Sequence, residues 1–574
     1  MKRLNMLRRS ILAIALITIS LSAPLLAQAQ DAPRYMVASA NPHATKAGLE
    51  IMRQGGNAVD AAIAVQAVLT LVEPQSSGIG GGAFLLLHDQ ESGDIIAYDG
   101  REVAPAGATE ALFLKEDGTP EKKSDVIPGG RSVGVPGVMR MLALAHRENG
   151  RLPWQVLFEP AIKLASEGFT ISPRFHFLVN MYKDKVRPDN FLNYFYDDKG
   201  EALPVGHLLK NPALADTLSR IAAEGAEVMY RGELAEAIVS AVNNSPVNPG
   251  TLSLADLSRY EAKKRDAVCA PYREYKICGM PPPSSGGIAI VQILNLLEGF
   301  NLGKLDPNSA AAANLFLEAA RLAYADRATH LGDTDFVHVP VKGLVDTDYL
   351  EGRSKMIKPG EVMEDAPAGS PPGSTMAYVT MDPQEIPATS HFSIVDDEGN
   401  VVAMTTTIES AYGSRLMVHG FLLNNQLTDF TFVPKSETGP VANRVEPGKR
   451  PLSSMSPTIV YDELGRPIIT IGSPGGPLII SFVAKTLLGL LDWDMTMQEA
   501  VARPNLFPYG KIAIIEKDSA LSAHQSTLEA LGYGVREGNL TSGLHGITIT
   551  YDEDGHRHLD GGADPRREGT AQGE

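Results

Sequence analysis

Residues 389–407 read Thr-Ser-His-Phe-Ser-Ile-Val-Asp-Asp-Glu-Gly-Asn-Val-Val-Ala-Met-Thr-Thr-Thr, and no other stretch constrains the fold as much. Two β-prone runs, Ser390 to Val395 and Val401 to Ile408, flank Asp397-Glu398-Gly399. A three-residue hairpin loop needs positive φ at its last position, and Gly399 stands there. That turn sets the register. Val395 faces Val401, and stepping outward Thr389 faces Thr407. Directly opposed Cβ atoms lie about 4.5–5.5 Å apart, within reach of a hydroxyl–hydroxyl hydrogen bond. Two threonines are thus predicted to meet at the open end of a hairpin. Threonine is common in strands, so on the hairpin alone an ordinary structural pair fits as well as a reactive one.

The chain changes character around this hairpin. Before it, Pro359 to Gln384 is rich in Pro, Gly, Asp and Glu, lacks periodicity and reads as an exposed, flexible segment. After Ala388, period-two strands dominate: Phe421 to Asn424, Thr458 to Tyr461, Ile468 to Ile471, Ile512 to Ile515 and Gly546 to Tyr551. Helices Leu478 to Leu490 and Met497 to Val501 lie among them. Toward the N-terminus, Ala44 to Arg53 reads as a helix ended by Gly55-Gly56, and Asn57 opens an apolar helix, Ala58 to Leu71. A glycine-rich loop, Glu73 to Gly82, leads into the strand Ala83 to His88, and another strand reaches Asp99-Gly-Arg101. The middle, about Leu142 to Tyr324, reads as mostly helical, for example over Pro153 to Ser166, Ala213 to Glu224, Glu233 to Val242 and Ala310 to Tyr324. Strand blocks mixed with helix blocks predict an α+β protein of layered sheets with helices outside.

The N-terminus carries Lys2, Arg3, Arg8 and Arg9 before an apolar run from Ile11 to Leu26, then Ala27-Gln28-Ala29. This is the pattern of a secretory signal peptide over residues 1–29, and it places the mature protein in a periplasm or outside the cell, with no membrane span left. A net charge of −17 repels phosphate backbones and argues against nucleic acid as a partner. Export bears on the two cysteines. Cys269 and Cys278 face each other if the segment between them turns at Arg273-Glu274, so an oxidising compartment permits a disulfide; two free thiols are the alternative.

A threonine hydroxyl is a weak nucleophile. If the chain is cut before Thr389, the new α-amine sits on the same residue and can act as its base, with a reference pKa of about 7.7–8.0. At this point long motifs carry a resemblance. Gly56-Asn-Ala-Val-Asp-Ala-Ala62, Glu73-Pro-Gln-Ser-Ser-Gly-Ile-Gly-Gly-Gly82, Asp99-Gly-Arg-Glu102, Pro281-Pro-Pro-Ser-Ser-Gly-Gly287, Leu423-Asn-Asn-Gln426, Arg450-Pro-Leu-Ser-Ser-Met-Ser-Pro457 and Gly472-Ser-Pro-Gly-Gly476 resemble the γ-glutamyl transpeptidases, or glutathione hydrolases, from about Ala38 to Arg567. The resemblance implies an N-terminal-nucleophile hydrolase fold, an αββα four-layer sandwich of two stacked, largely antiparallel sheets. It implies a precursor that cuts itself between Ala388 and Thr389 into a large subunit, residues 30–388, and a small one, residues 389–574, which stay together as a heterodimer. Its substrates would be glutathione and related γ-glutamyl amides, its acceptors water or amino acids, and it would need no cofactor and no metal.

Carried over by position, the resemblance makes Thr389 the nucleophile and Thr407 its supporting hydroxyl. Arg101 would grip the substrate α-carboxylate, for which a guanidinium fork is suited, although a surface pair with Glu102 is the simpler reading of those two residues alone. Ser453 and Ser454 would hold the same carboxylate. Gln426 and Asp429 would hold the α-amino group. Gly475 and Gly476 would offer backbone N–H groups to the tetrahedral oxyanion. Two departures stand out. Glu409 occupies a position where many relatives carry Asn beside the α-amino group. The stretch between Phe430 and Lys449 is short and has no tyrosine, where many relatives have a longer lid; a short lid predicts hydrolysis over transfer. Two rivals follow: an acylase for glutaryl or cephalosporin-type amides, whose substrates lack the α-amino group, and an inactive secreted homologue acting as a binding protein. Gly78-Ile-Gly-Gly-Gly82 is not a dinucleotide loop, because it follows a helix and precedes a strand.

Overall fold

Alternation divides the Ser390–Val395 strand between two environments. Phe392 and Ile394 join one apolar core with the helices Pro42–Arg53 and Ala58–Val72. Val395 joins a second core with Ile469, Ile471 and Ile547 from another sheet. Ser393, on that same second side, donates to the His545 carbonyl at 3.2 Å. The strand therefore lies between a helical layer and a stacked sheet. The computed structural model describes residues 33–182, 189–374, 388–436 and 439–574. The leader read at residues 1–29 lies outside the described residues, as do residues 375–384 of the segment read as exposed.

The first sheet has seven strands, in the order Thr570–Gly573, Met36–Ser39, Ser390–Val395, Val401–Thr407, Gly82–His88, Ile95–Asp99 and Lys263–Asp266. The second has six, in the order Arg557–Ala563, His545–Tyr551, Pro467–Gly472, Thr458–Tyr461, Tyr275–Gly279 and Val268–Tyr272. Every neighbouring pair in both sheets is antiparallel. Helices Gly286–Leu296, Ala310–His330 and Leu478–Asp492 join the second core. The order of layers is helix, sheet, sheet, helix, the sandwich that the sequence resemblance implies.

The central hairpin has the expected register, Val401 opposite Val395 through Thr406 opposite Ser390. Gly399 has φ +106°. The turn is organised by the buried Asp396 carboxylate, which accepts from the backbone N–H groups of Glu398, Gly399 and Asn400 at 3.0, 2.9 and 2.9 Å. Its other oxygen accepts from Ala58 N at 3.0 Å, an otherwise unsatisfied donor at the start of the Ala58–Val72 helix. That helix is buried all round and opens with a capping box between Asn57 and Asp60. At the edge of the second sheet, Cys269 pairs with Cys278 and their sulfurs are bonded, with Tyr272 opposite Tyr275 across the turn.

Several elements differ from the sequence expectation. The middle region, read as mostly helical, also contributes the edge strand Lys263–Asp266 to the first sheet, beside the Val268–Tyr272 and Tyr275–Gly279 hairpin that the turn at Arg273-Glu274 allowed. The helix begun at Ala310 runs to His330 rather than stopping at Tyr324, because the polar residues of its last turns are buried and paired: Asp326 with Arg353 at 3.2 Å and Arg327 with Ser454 at 2.7 Å. The strand read over Phe421 to Asn424 ends at Leu422, since Asn424 turns its amide to Gly80 O and Gly134 O, both at 2.9 Å. Among the described residues no helix is long and apolar enough to cross a membrane.

Asp396 ties the turn to the helix, so Asp396→Ala should destabilise the protein by about 3 kcal/mol or more, since several buried N–H donors lose one charged acceptor. Asp396→Asn should cost less. Urea midpoints of the three proteins check this ordering.

Candidate active site

Thr389 and Thr407 lie at the open end of the hairpin with their Oγ1 atoms 3.1 Å apart. Each hydroxyl also lies within hydrogen-bond distance of the Ala388 carbonyl oxygen, at 2.5 and 3.0 Å. Glu409 N donates to Thr407 Oγ1 at 2.8 Å, which orients that hydroxyl. Arg567 Nη1 donates to the Thr389 carbonyl at 3.2 Å and its Nε to Ser542 O at 2.8 Å. Arg567 is half-buried, and desolvation pulls its guanidinium down to about 9, with the neighbouring Arg174 adding to the effect. His391, two residues along the same strand face, sits between the sheets on Thr405 at 2.9 Å. Burial, with His545 nearby, holds its pKa well below the usual imidazole value, so it is a neutral interior group.

Beside the threonines opens a hollow of about 290 Å³, measured out to its mouth. Thr389, Thr407 and Ala388 line it together with Arg101, Glu409, Gln426, Asp429, Ser453, Ser454 and Gly476. The residues singled out in the sequence from positions as distant as 101 and 476 therefore share one cavity. Gly475 precedes the lining; its φ of +141° and the Phe482 ring, 2.8 Å from where a Cβ would stand, both demand glycine. Gly476 has φ +58°, and the pair leads directly into the Leu478–Asp492 helix, whose N-terminal end favours negative charge. The cysteine pair lies elsewhere, at the edge of the second sheet.

Electrostatics in the hollow are tightly paired. Arg101 is fully buried and donates from Nη2 to Asp429 Oδ2 at 2.7 Å and to Leu452 O at 2.8 Å, and from Nε to Pro451 O at 3.1 Å. Gln426 Nε2 donates to the same Asp429 oxygen at 2.6 Å. Burial pushes the Asp429 carboxyl up, but the cations Arg101 and Lys123 outweigh it and hold it below the usual range. Glu409 goes the other way: burial raises it more than Lys123 lowers it. The Arg101–Glu102 pair is not a surface contact. Both side chains are buried and 3.9 Å apart.

Two residues absent from the sequence reading complete the site. Lys123 Nζ lies 3.0 Å from Glu409 Oε1 and 3.7 Å from Asp429 Oδ1. Its local sequence, Glu121-Lys-Lys-Ser-Asp125, looks like solvated surface; the available signal was Glu409 itself, since a buried extra anion requires a cation. Arg327, on the Ala310–His330 helix, donates to Ser454 Oγ at 2.7 Å and to Ser285 Oγ at 2.8 Å. It fixes one of the two serines from behind.

Glu102 yields a pH prediction. Its carboxyl is pushed up to about 8 by burial, against the pull of Arg101, and both oxygens lack hydrogen-bond partners. A folded-state pKa above the unfolded value means that the wild type is penalised progressively from about pH 4.3 upward, until the group ionises near 8. Glu102→Gln should therefore gain stability relative to wild type between pH 5 and pH 8, by on the order of 4 kcal/mol. Denaturation midpoints at pH 5, 6.5 and 8 measure the gap, and a constant gap would contradict it.

The family profile described as gamma-glutamyltranspeptidase matches residues 44–574. A glutathione hydrolase proenzyme of Bacillus subtilis (strain 168) is 36% identical, over 94% of this chain and 91% of that protein. An acylase ACY 1 proenzyme of Pseudomonas sp. (strain V22) is 32% identical, over 90% of each. The crystal structure of a cephalosporin acylase from Bacillus halodurans superposes with a TM-score of 0.83 at 26% identity, covering 94% of this chain and 96% of that one. A profile match over nearly the whole chain, and relatives above 30% identity along most of their length, place the chain in the γ-glutamyltranspeptidase family.

Proposed function

We propose that this enzyme is a self-cleaving γ-glutamyl hydrolase and transpeptidase that works through a threonyl ester, with glutathione and related γ-glutamyl amides as substrates. The carrying observation is the pair of hydroxyls, 3.1 Å apart, with the Ala388 carbonyl within reach of both. In the precursor, Thr389 Oγ1 attacks the Ala388 carbonyl carbon while Thr407 donates to its oxygen. The peptide C–N bond breaks, an ester forms, and water hydrolyses it. The large subunit then ends at Ala388 and the small subunit begins at Thr389, the two remaining associated. A leader over residues 1–29 would take the precursor to a periplasm or the exterior.

In the mature enzyme, the freed α-amine of Thr389 takes the proton from Oγ1 as it attacks the γ-carbonyl of the substrate. Gly475 and Gly476 donate backbone N–H groups to the oxyanion, an arrangement whose single donors are typically worth about 2.7–4 kcal/mol. Collapse expels the amine, and water or an amino acid takes the acyl group. Arg101, Ser453 and Ser454 hold the α-carboxylate; Gln426, Asp429 and Glu409 face the α-amino group. The stretch between Phe430 and Lys449 is short and has no tyrosine, which supports an acyl-enzyme open to water. A second reading, an acylase for glutaryl or cephalosporin-type amides, is favoured by the Lys123–Glu409 contact and by the likeness to the Bacillus halodurans acylase.

Purified wild-type protein should resolve by mass spectrometry into residues 30–388 and 389–574. Thr389→Ala should remain one chain and lose turnover of a γ-glutamyl anilide, and Thr407→Ala should slow both events by roughly 10²-fold. A wild type that stays uncut would favour the binding-protein reading. With a saturating dipeptide acceptor, the ratio of transfer to hydrolysis should stay below one; a ratio above one would contradict the role given to the short 430–449 stretch.

A further inference from the structure

Glu409 places a second buried carboxylate beside Asp429, and the chain supplies its own ammonium to the pair. Lys123 Nζ stands 3.0 Å from Glu409 Oε1 and 3.7 Å from Asp429 Oδ1, with the lysine side chain 13% exposed. Packing holds it there. Val126, three residues on, joins Phe113, Leu427 and Phe430 in a small apolar cluster, and Phe113 stacks on Phe432 with ring centres 4.4 Å apart. Two acceptors of the same wall, Asp429 Oδ1 and Gln426 Oε1, are buried without a hydrogen-bond partner. A ligand ammonium donating to Asp429 Oδ1 at an ordinary length of about 2.8 Å would stand no farther than about 6.5 Å from Lys123 Nζ. Two like charges at that separation in a poorly hydrated wall repel each other.

We propose that Lys123 is a specificity-determining residue of this pocket: it competes for Glu409 and Asp429 with the α-ammonium of an incoming acyl group, and so lowers the preference for γ-glutamyl over des-amino, glutaryl-type acyl groups. This inference rests on the reading of the hollow as the acyl pocket. Lys123 and Glu409 act as a matched pair. Together they leave the charge of the wall unchanged, while separately each biases it in an opposite direction. The pocket is then permissive, accepting acyl groups with or without the ammonium.

The test compares kcat/KM for a γ-glutamyl anilide and for the matching glutaryl anilide on self-processed protein. In Lys123→Met the ratio of γ-glutamyl to glutaryl should rise by at least about tenfold, through a lower KM for the γ-glutamyl substrate. In Glu409→Asn, which leaves the lysine unopposed, the ratio should fall. Opposite signs cannot come from general damage, because each ratio is internal to one preparation. If either single variant fails to fold, the charge-conserving Lys123→Met/Glu409→Asn protein is measured in its place, and its ratio should also rise. A ratio that is unmoved in Lys123→Met, or that shifts the same way in both single variants, overturns the role of Lys123. A wild type that cleaves neither anilide overturns the enzymatic reading instead, a separate and recognisable result.

Discussion

The site depends on the register of one hairpin, and the register depends on one buried carboxylate. Asp396 gathers three consecutive backbone N–H groups of the turn and a fourth from the start of the Ala58–Val72 helix. A slip of one residue would turn every side chain of the Ser390–Val395 strand to the opposite face. Phe392 and Ile394 would leave the helical core, and the Thr389 and Thr407 hydroxyls would no longer meet. The apolar face of the strand and the hydroxyl pair at its end are thus enforced together. The packing that stabilises the fold also places the two opposed hydroxyls.

A second constraint is charge balance. Arg101, Asp429 and Glu409 line the hollow, and Lys123 backs the two carboxylates; all four side chains are largely buried. Charges removed from water persist only when paired, and here the pairing is reciprocal: Arg101 and Gln426 share one Asp429 oxygen, and Lys123 holds Glu409. Glu102, which has no hydrogen-bond partner, is pushed toward its neutral form. Arg327 works differently. It reaches Ser285 and Ser454 from the Ala310–His330 helix, and so ties Ser454, on the lining of the hollow, to the outer framework. The Glu409–Lys123 pair brings two distant segments of the chain together in this wall.

Both hairpins were legible because their information is local. A glycine at a turn and an alternating pattern specify who faces whom, and the observed pairing of Val395 with Val401 and of Cys269 with Cys278 follows from turns only a few residues long. The capping box at Asn57 is equally local. The Thr570–Gly573 edge strand was not legible, since Thr-Ala-Gln-Gly carries no apolar alternation and pairs only because Met36–Ser39 offers it an open edge. The end of the helix at His330 was missed because its last turns are polar, and polar residues stay helical there only through partners elsewhere in the chain.

Taken by itself, the sequence determined the local elements, the hairpin register and the identity of the two opposed threonines. Propensity, turn geometry and period-two alternation act over a few bonds. The tertiary structure alone decided which charges meet. Lys123 and Glu409 are 286 residues apart, and nothing in the neighbourhood of either names the other. Coulomb pairing and desolvation depend on distance through space and on the burial of each partner, and both exist only once the sheets have stacked.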